Sequence, residues 1–132
     1  MNTIPIRTTA REEILDITRL VQQAVSSSGA TQGVCLVTVQ HTTAGLTINE
    51  NADPAVKRDL LMALRRMAPD DLPYTHAEGN SPAHVKSSLM GSSLCVIIDG
   101  GRLALGTWQG ICFCEFDGPR QRRVLIEILP SR

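Results

Sequence analysis

The residues of this sequence best suited to metal chemistry are its three histidines, His41, His76 and His84. None of them lies within a helical stripe or in the middle of a predicted strand. Zinc and related ions favour imidazole nitrogen, and catalytic sites often use three protein ligands with a fourth position open to water or substrate. We therefore predict a divalent metal site, with zinc as the expected ion and magnesium or manganese as alternatives. The spacing matches no standard metal motif, so hydrogen bonding within loops, or acid–base catalysis without a metal, remains open.

Three carboxylates lie near these histidines along the chain, namely Glu50, Asp53 and Glu78. Carboxylates orient metal-bound imidazoles through hydrogen bonds or complete the coordination. They also transfer protons in acid–base catalysis. We predict a catalytic role within this group, although the sequence does not indicate which member has it.

The segment that leads into His84 offers an amide, a hydroxyl and an ammonium group, from Asn80, Ser81 and Lys86. A predicted helix begins there, and helix N-termini attract anions. We predict that these three residues bind a phosphorylated small-molecule substrate. Plain helix capping by Ser81, with Lys86 in solvent, is the competing interpretation.

Trp108 and Arg120 are two further candidates for substrate binding. Trp108 lies between two glycines, a pattern that allows close backbone approach and could place an indole in a pocket wall. Packing within a strand explains the same pattern. Arg120 begins a basic run that also holds Arg122 and Arg123, which could contact an anion or form a solvated rim.

These residues must be positioned by a mixture of strands and helices. Period-two apolar patterns predict strands over 3–8, 34–41, 46–49, 94–98, 110–116 and 123–129. Helical spacing predicts a first helix from Glu12 to a stop at Gly29, with Thr9 and Glu12 as a capping box, and a second from Asp53-Pro54 to Met67. A short helix over 82–90 follows a long loop over 70–82, with Ser81 as its cap. The order favours a single α+β domain, residues 1–132, with a mainly antiparallel sheet, two main helices and one short helix.

Composition limits the function classes. Thirteen basic residues balance thirteen acidic ones, which argues against nucleic acid or an anionic membrane as a partner. No apolar run reaches the roughly 20 residues of a membrane span, and the N-terminus lacks signal-peptide features, so we predict a cytoplasmic protein. The four cysteines lie inside apolar runs and are predicted to be core residues.

Four strings resemble the YjbQ-like family, in order and at family spacing over nearly the whole chain. They are HTTAGLTINENADP at 41–54, YTHAEGNSPAHVKSSLMG at 74–91, LGTWQGI at 105–111 and CEFDGPR at 114–120. The resemblance implies an α+β fold assembled as a homotrimer, with a metal-associated cleft near subunit contacts. It also supports His41, His76 and His84 as the metal ligands.

The resemblance further implies a secondary thiamine-phosphate-synthase activity, which joins a pyrimidine diphosphate to a thiazole phosphate with loss of pyrophosphate. Two alternatives remain: a metal-dependent hydrolase of a small phosphorylated metabolite, and a non-catalytic trimeric ligand-binding module. An all-histidine cation is atypical for diphosphate chemistry, which usually employs carboxylate-held magnesium. This mismatch keeps the hydrolase as an alternative, because zinc-bound water is a nucleophile near neutral pH.

Overall fold

The computed structural model describes all 132 residues as eight strands and three helices. The strands are β1 (Asn2–Arg7), β2 (Glu13–Asp16), β3 (Gln32–Thr38), β4 (Ala44–Glu50), β5 (Ser93–Asp99), β6 (Arg102–Leu103), β7 (Gln109–Glu115) and β8 (Gln121–Pro130). The helices are α1 (Thr18–Ser28), α2 (Pro54–Met67) and α3 (Ser81–Met90). None of the helices is long and apolar enough to cross a membrane.

The strands form two sheets in which every paired strand runs antiparallel to its neighbour. The large sheet has the order β1-β8-β3-β5-β6, and the small sheet has the order β2-β7-β4. The predicted α+β, single-domain, mainly antiparallel fold is therefore confirmed. The chain passes from one sheet to the other between β3 and β4, and this connection carries His41.

Most of the core lies between the two sheets. The inward residues of the large sheet, such as Val37 and Ile126, contact Leu46 and Phe113 of the small sheet, and α1 adds Val21. All five are fully buried. Strand alternation explains this arrangement, because each strand directs every second side chain into the shared layer.

A smaller core covers the opposite face of the small sheet. Cys112 and Cys114 of β7 contact Leu64 of α2 and Ala83 of α3 there. Strand β7 is thus buried on both faces, which explains why its sequence is continuously apolar. The predicted helix α2 is confirmed, and Asp53 caps it by accepting a hydrogen bond from the Ala55 N–H at 2.9 Å.

The first predicted helix was wrong over its first third, before Thr18. Residues Glu13–Asp16 form β2 and pair with β7, and the helix begins only at Thr18. The predicted capping box is absent, since the Thr9 N–H donates to Glu13 at 2.6 Å. In β2 the side chains of Ile14 and Leu15 point to opposite faces, Ile14 into the smaller core and Leu15 toward the larger one. Two adjacent apolar residues are therefore compatible with this strand as well as with a helix. The predicted stop at Gly29 is confirmed by its left-handed backbone.

Two smaller expectations also need correction. Helix α3 begins at Ser81 after Asn80, and neither side chain makes a capping hydrogen bond there. Three of the cysteines are buried as predicted, but Cys95 is exposed. Burial raises the pKa of the Cys114 thiol to about 12, so this residue is an unreactive part of the core.

Candidate functional site

Two of the predicted metal ligands line one cavity. His41, in the β3–β4 connection, and His84, in the first turns of α3, face a space of about 520 Å³. We name it the hydroxyl cavity, because Thr42, Ser87, Ser88 and Ser92 line it together with the two imidazoles. Ala44 is its single apolar side chain. The space is large enough for a small metabolite.

His41 also borders a second cavity of about 450 Å³, which opens on the outer face of the large sheet. We name it the arginine cavity; its lining includes Gln40, Gln121, Arg122 and Arg123, with no hydrophobic side chain. Along β8, Arg122 points inward and is buried while Arg123 points outward and is exposed. His41 therefore forms part of the wall of both cavities.

The backbone of Arg123 fixes the His41 ring. The Nε2 atom of His41 lies 3.1 Å from both the N–H and the carbonyl oxygen of Arg123. When Nε2 carries the proton and donates to the carbonyl, the Nδ1 lone pair is free for a cation, an arrangement common among metal-bound histidines. Burial, followed by the nearby Arg122 charge, lowers the pKa of His41, which favours the neutral ring that a metal requires.

His76 meets His84 directly. Their ring centroids lie 5.2 Å apart and the rings are nearly perpendicular, at 88°. His76 is exposed in the long loop, and His84 is half-buried. No group of three histidine, cysteine, aspartate or glutamate side chains converges on one point within this chain. His76 and His84 are thus the one pair of histidines in contact, and His41 lies on the same cavity as His84 but outside that pair.

The predicted carboxylates are not all near the histidines. Glu50 ends β4 and Asp53 caps α2, whereas His41 precedes the start of β4. The seven residues of β4 separate the two ends by about 20 Å, at roughly 3.3 Å per residue. Glu78 alone lies in the loop between His76 and α3, where it is exposed. Catalytic roles for all three stay predictions.

Lys86 lies in a buried ion pair. Its Nζ donates to Glu12 at 2.7 Å, and Glu12 also accepts from Arg65 of α2 at the same distance. Burial would raise the pKa of Glu12, but the hydrogen bonds and charges of Lys86 and Arg65 lower it below its ordinary value. This Lys86 ammonium thus holds the segment before β2 against α2 and α3. It lines neither cavity beside His41.

The other predicted anion-binding groups are also occupied. The Asn80 Nδ2 group donates to Asp117 at 2.9 Å, and Arg120 donates to the same carboxylate at 3.0 Å. Because a carboxylate only accepts, this contact fixes the Asn80 amide and leaves its Oδ1 as a buried acceptor without a partner. Ser81 occupies the first turn of α3, half-buried.

Trp108 lies at the far end of the small sheet from His41. Its side chain is 63% exposed, and its carbonyl accepts a hydrogen bond from the Asn51 N–H at 2.8 Å. The indole therefore stands in solvent on the same end as Glu50 and Asp53. Contact with a ligand at His41 would require the Trp108 of another subunit.

The sequence prediction missed two sets of residues around His41. Glu115 and Arg122 form a buried ion pair, and Arg122 also donates to the Thr43 hydroxyl at 2.9 Å. Ser87 lines the hydroxyl cavity while its own Oγ has no hydrogen-bond partner. The one available signal was a glutamate inside the apolar β7 run, since a charged residue there requires a buried partner.

Comparison with known sequences gives a consistent family. A family model described as UPF0047 protein YjbQ-like matches residues 2–131. A UPF0047 protein of Methanocaldococcus jannaschii is 52% identical over 127 residues, which are 96% of this chain and 92% of that protein. YugU, a UPF0047 protein of Bacillus subtilis, is 51% identical over 130 residues, or 98% of each chain.

Solved structures agree with the sequence relatives. A YjbQ/UPF0047 family protein from Clostridium acetobutylicum superposes with a TM-score of 0.96 at 52% identity, covering 98% of this chain and 100% of that one. A protein of unknown function from Sulfolobus solfataricus, described as YbjQ-like, gives a TM-score of 0.94 at 32% identity, covering 98% and 96%.

Proposed function

This chain belongs to the YjbQ-like UPF0047 family, and we propose that it is a metal-associated enzyme acting on a small phosphorylated metabolite beside His41 and His84. The names of its relatives give the family and no reaction. The observation that carries the proposal is the shared cavity of His41 and His84, with the His76 ring against His84. A pair of imidazoles, with a third on the same polar cavity, supports a proposal of a cation and a phosphate ligand.

We propose that His76 and His84 hold the cation, with His41 as the third ligand. His41 would offer its Nδ1 atom, because its Nε2 atom lies against the backbone of Arg123. When bound, the metal neutralises negative charge on the phosphate group. The side chains of Arg123, Gln40 and Gln121 in the arginine cavity can bind and orient the phosphate oxygens. Glu78 is the carboxylate placed to orient His76 or to move a proton.

Thiamine-phosphate-synthase-type transfer is the first candidate reaction, and its support is the family resemblance. That reaction brings together two heteroaromatic rings. Neither cavity offers an aromatic surface or a large apolar side chain for such rings, apart from the imidazoles. Trp108 would have to come from a neighbouring subunit to supply one.

Hydrolysis of a small phosphorylated metabolite is the second candidate, and the cavity lining favours it. Hydroxyl and amide groups bind a polar ligand well and offer an aromatic ring no apolar surface. A non-catalytic ligand-binding role is the third reading. It predicts ligand binding that does not depend on the three histidines.

An activity assay with matched variants separates these readings. We expect zinc- or manganese-dependent release of phosphate from small phosphate esters, reduced at least about a hundredfold in His84→Ala, because loss of a metal ligand removes the charge stabilisation. Gln109→Ala, at the far end of the small sheet, is the control. Formation of thiamine phosphate from its two precursors would establish the transferase instead. Turnover unchanged in His84→Ala would contradict both reactions.

We further propose that the protein works as a cytoplasmic homotrimer that associates through the outer face of the large sheet. Val34, Ile97 and Leu129 lie side by side there, in register on β3, β5 and β8. Ile97 is 64% exposed and Leu129 is 57% exposed. An exposed apolar patch across three strands is typical of a protein interface. The arginine cavity opens on the same face, which supports a site near subunit contacts.

Charges on this face should separate the subunits. We expect the double variant Ile97→Glu/Leu129→Glu to sediment as a single chain where the wild type sediments as three, because like charges would meet in an apolar contact. Met62→Glu, on exposed α2, is the control and should leave the assembly intact. A wild type that sediments as a monomer, or a double variant that keeps three chains, would contradict this proposal.

A further inference from the structure

The two cavities beside His41 differ in chemistry, and this difference bears on the class of ligand. Both contain the His41 side chain in their lining, so the two cavities are adjacent at this imidazole. The arginine cavity carries cationic and amide donors. The lining of the hydroxyl cavity contains no arginine, lysine, aspartate or glutamate side chain; its remaining polar side chains beside the hydroxyls are the two imidazoles.

The arginine cavity has one uncommitted cation. Arg122 is held by Glu115 and Thr43, and its side chain is 4% exposed. Arg123 forms no ion pair and no side-chain hydrogen bond within the chain, and it is exposed next to His41. A free guanidinium with neighbouring amides is a good site for a phosphate group. We therefore place the anionic end of the ligand here.

The serine end of the hydroxyl cavity, away from the imidazoles, is unsuited to an anion. Ser87, Ser88 and Ser92 lie along and just beyond the C-terminal half of α3, where the helix dipole is negative. Hydroxyl side chains both donate and accept hydrogen bonds, and so they match the hydroxyl groups of a ligand. A neutral, hydroxyl-rich part of a molecule fits this cavity better than a phosphate or an aromatic ring.

Ser87 has a buried hydroxyl group without a hydrogen-bond partner, beside the hydroxyl cavity. This residue is 8% exposed, and its Oγ is one of only two buried side-chain polar atoms in the chain without a hydrogen-bond partner. The other is Asn80 Oδ1, at the residue that precedes α3. Buried hydroxyls without partners are rare in native proteins, because such a group loses water and gains nothing in return. A ligand hydroxyl in the cavity would supply the missing partner.

We infer that the cleft recognises a phosphorylated polyhydroxy compound, with its phosphate at Arg123 and its hydroxyl groups among Ser87, Ser88, Ser92 and Thr42. In the bound state the Ser87 hydroxyl turns toward the ligand. This inference rests on the proposed function for the phosphate end of the ligand, and it adds the nature of the other end. It predicts that polyol phosphates bind better than phosphates attached to aromatic or plain alkyl groups.

Calorimetric titration of the full-length protein with three probes tests it: D-ribose 5-phosphate, methyl phosphate and phenyl phosphate. We expect ribose 5-phosphate to bind at least about tenfold more tightly than the other two, since each matched hydrogen bond contributes about that factor. Ser87→Ala should weaken ribose 5-phosphate about tenfold and leave methyl phosphate unchanged. Arg123→Gln should weaken all three probes to a similar extent.

Ser93→Ala, outside both cavities, is the matched control, and circular dichroism confirms the fold of each variant. Equal or tighter binding of phenyl or methyl phosphate, or no detectable binding of ribose 5-phosphate, would overturn the inference. So would a Ser87→Ala variant that keeps the wild-type preference. Metal-dependent turnover with a preference for phenyl phosphate would contradict this inference and leave the proposed function standing. Selective binding of ribose 5-phosphate without any turnover would support this inference and contradict the proposed enzymatic function.

Discussion

Arg122→Met should lower the free energy of unfolding by about 3–5 kcal/mol, because it leaves the Glu115 carboxylate buried without its charge partner. Glu115 is 0% exposed and Arg122 is 4% exposed. The guanidinium binds both carboxylate oxygens, with Nε at 2.8 Å from Oε2, and it also holds Thr43. Urea denaturation at one fixed protein concentration measures the loss.

Two comparisons show whether the cause is the unpaired charge. The double variant Glu115→Gln/Arg122→Met should recover part of the loss, because the neutral amide oxygen still accepts from the Asp117 N–H and the amide NH2 group can donate to the Thr8 hydroxyl oxygen. Arg120→Met breaks the exposed pair with Asp117, where about 1 kcal/mol or less is expected. An Arg122→Met variant as stable as Arg120→Met would contradict this account.

The same pair shapes the response to acid. Burial alone would raise the pKa of Glu115, but hydrogen bonds from Arg122, the Asp117 N–H and Thr8 lower it below its ordinary value. A carboxyl with a lowered folded pKa stabilises the fold above its unfolded pKa, and this contribution is lost as pH falls through the folded pKa. The double variant should therefore lose less stability than the wild type on acidification.

The second large effect is expected for Gly45→Ala. A Cβ at this position would lie 2.7 Å from the carbonyl oxygen of Gly91, which accepts a hydrogen bond from the Leu46 N–H, and 3.4 Å from the Ser87 carbonyl oxygen. The end of α3 would have to move away from β4. We expect a loss of about 1–3 kcal/mol in stability. We also expect at least about a tenfold loss of kcat/KM, because the wall of the hydroxyl cavity moves with it.

Gly106→Ala is the matched control for this substitution. Its Cβ would meet only the flexible end of Gln109, at 3.3 Å, so both stability and turnover should stay near the wild type. Thermal unfolding and an ester-turnover assay measure the two effects. If Gly45→Ala behaves like Gly106→Ala, the close contact between α3 and β4 does not position the site.

Much of the fold was predictable because its signals are local. Helix α2 begins with Asp53-Pro54 and carries apolar residues at helical spacing, and these two local signals predicted it correctly. Residues 13–16 misled the prediction, since Ile14 and Leu15 fit a helical period and a two-faced strand equally well. Only the pairing of β2 with β7 decides between them, and these two strands lie about 100 residues apart in the sequence.

The site was predictable only in part, for a related reason. The sequence identified His41, His76 and His84, and the structure brings the latter two together and gives the first a shared cavity. Proximity along the chain wrongly suggested that Glu50 and Asp53 lie beside His41, because β4 carries them to the other end of the sheet. Lys86 looked like a free cation, but its partner, Glu12, is remote in sequence.

Zinc binding by untagged protein tests the central claim, that these three histidines hold one cation, most directly. Elemental analysis and competitive titration would compare the wild type with His41→Ala, His76→Ala and His84→Ala, and with the control Gln109→Ala. We expect about one tightly bound zinc per wild-type and control chain, and at least about tenfold weaker binding in each histidine variant. A wild type that binds no divalent metal, or histidine variants that bind it as tightly as the control, would contradict the account.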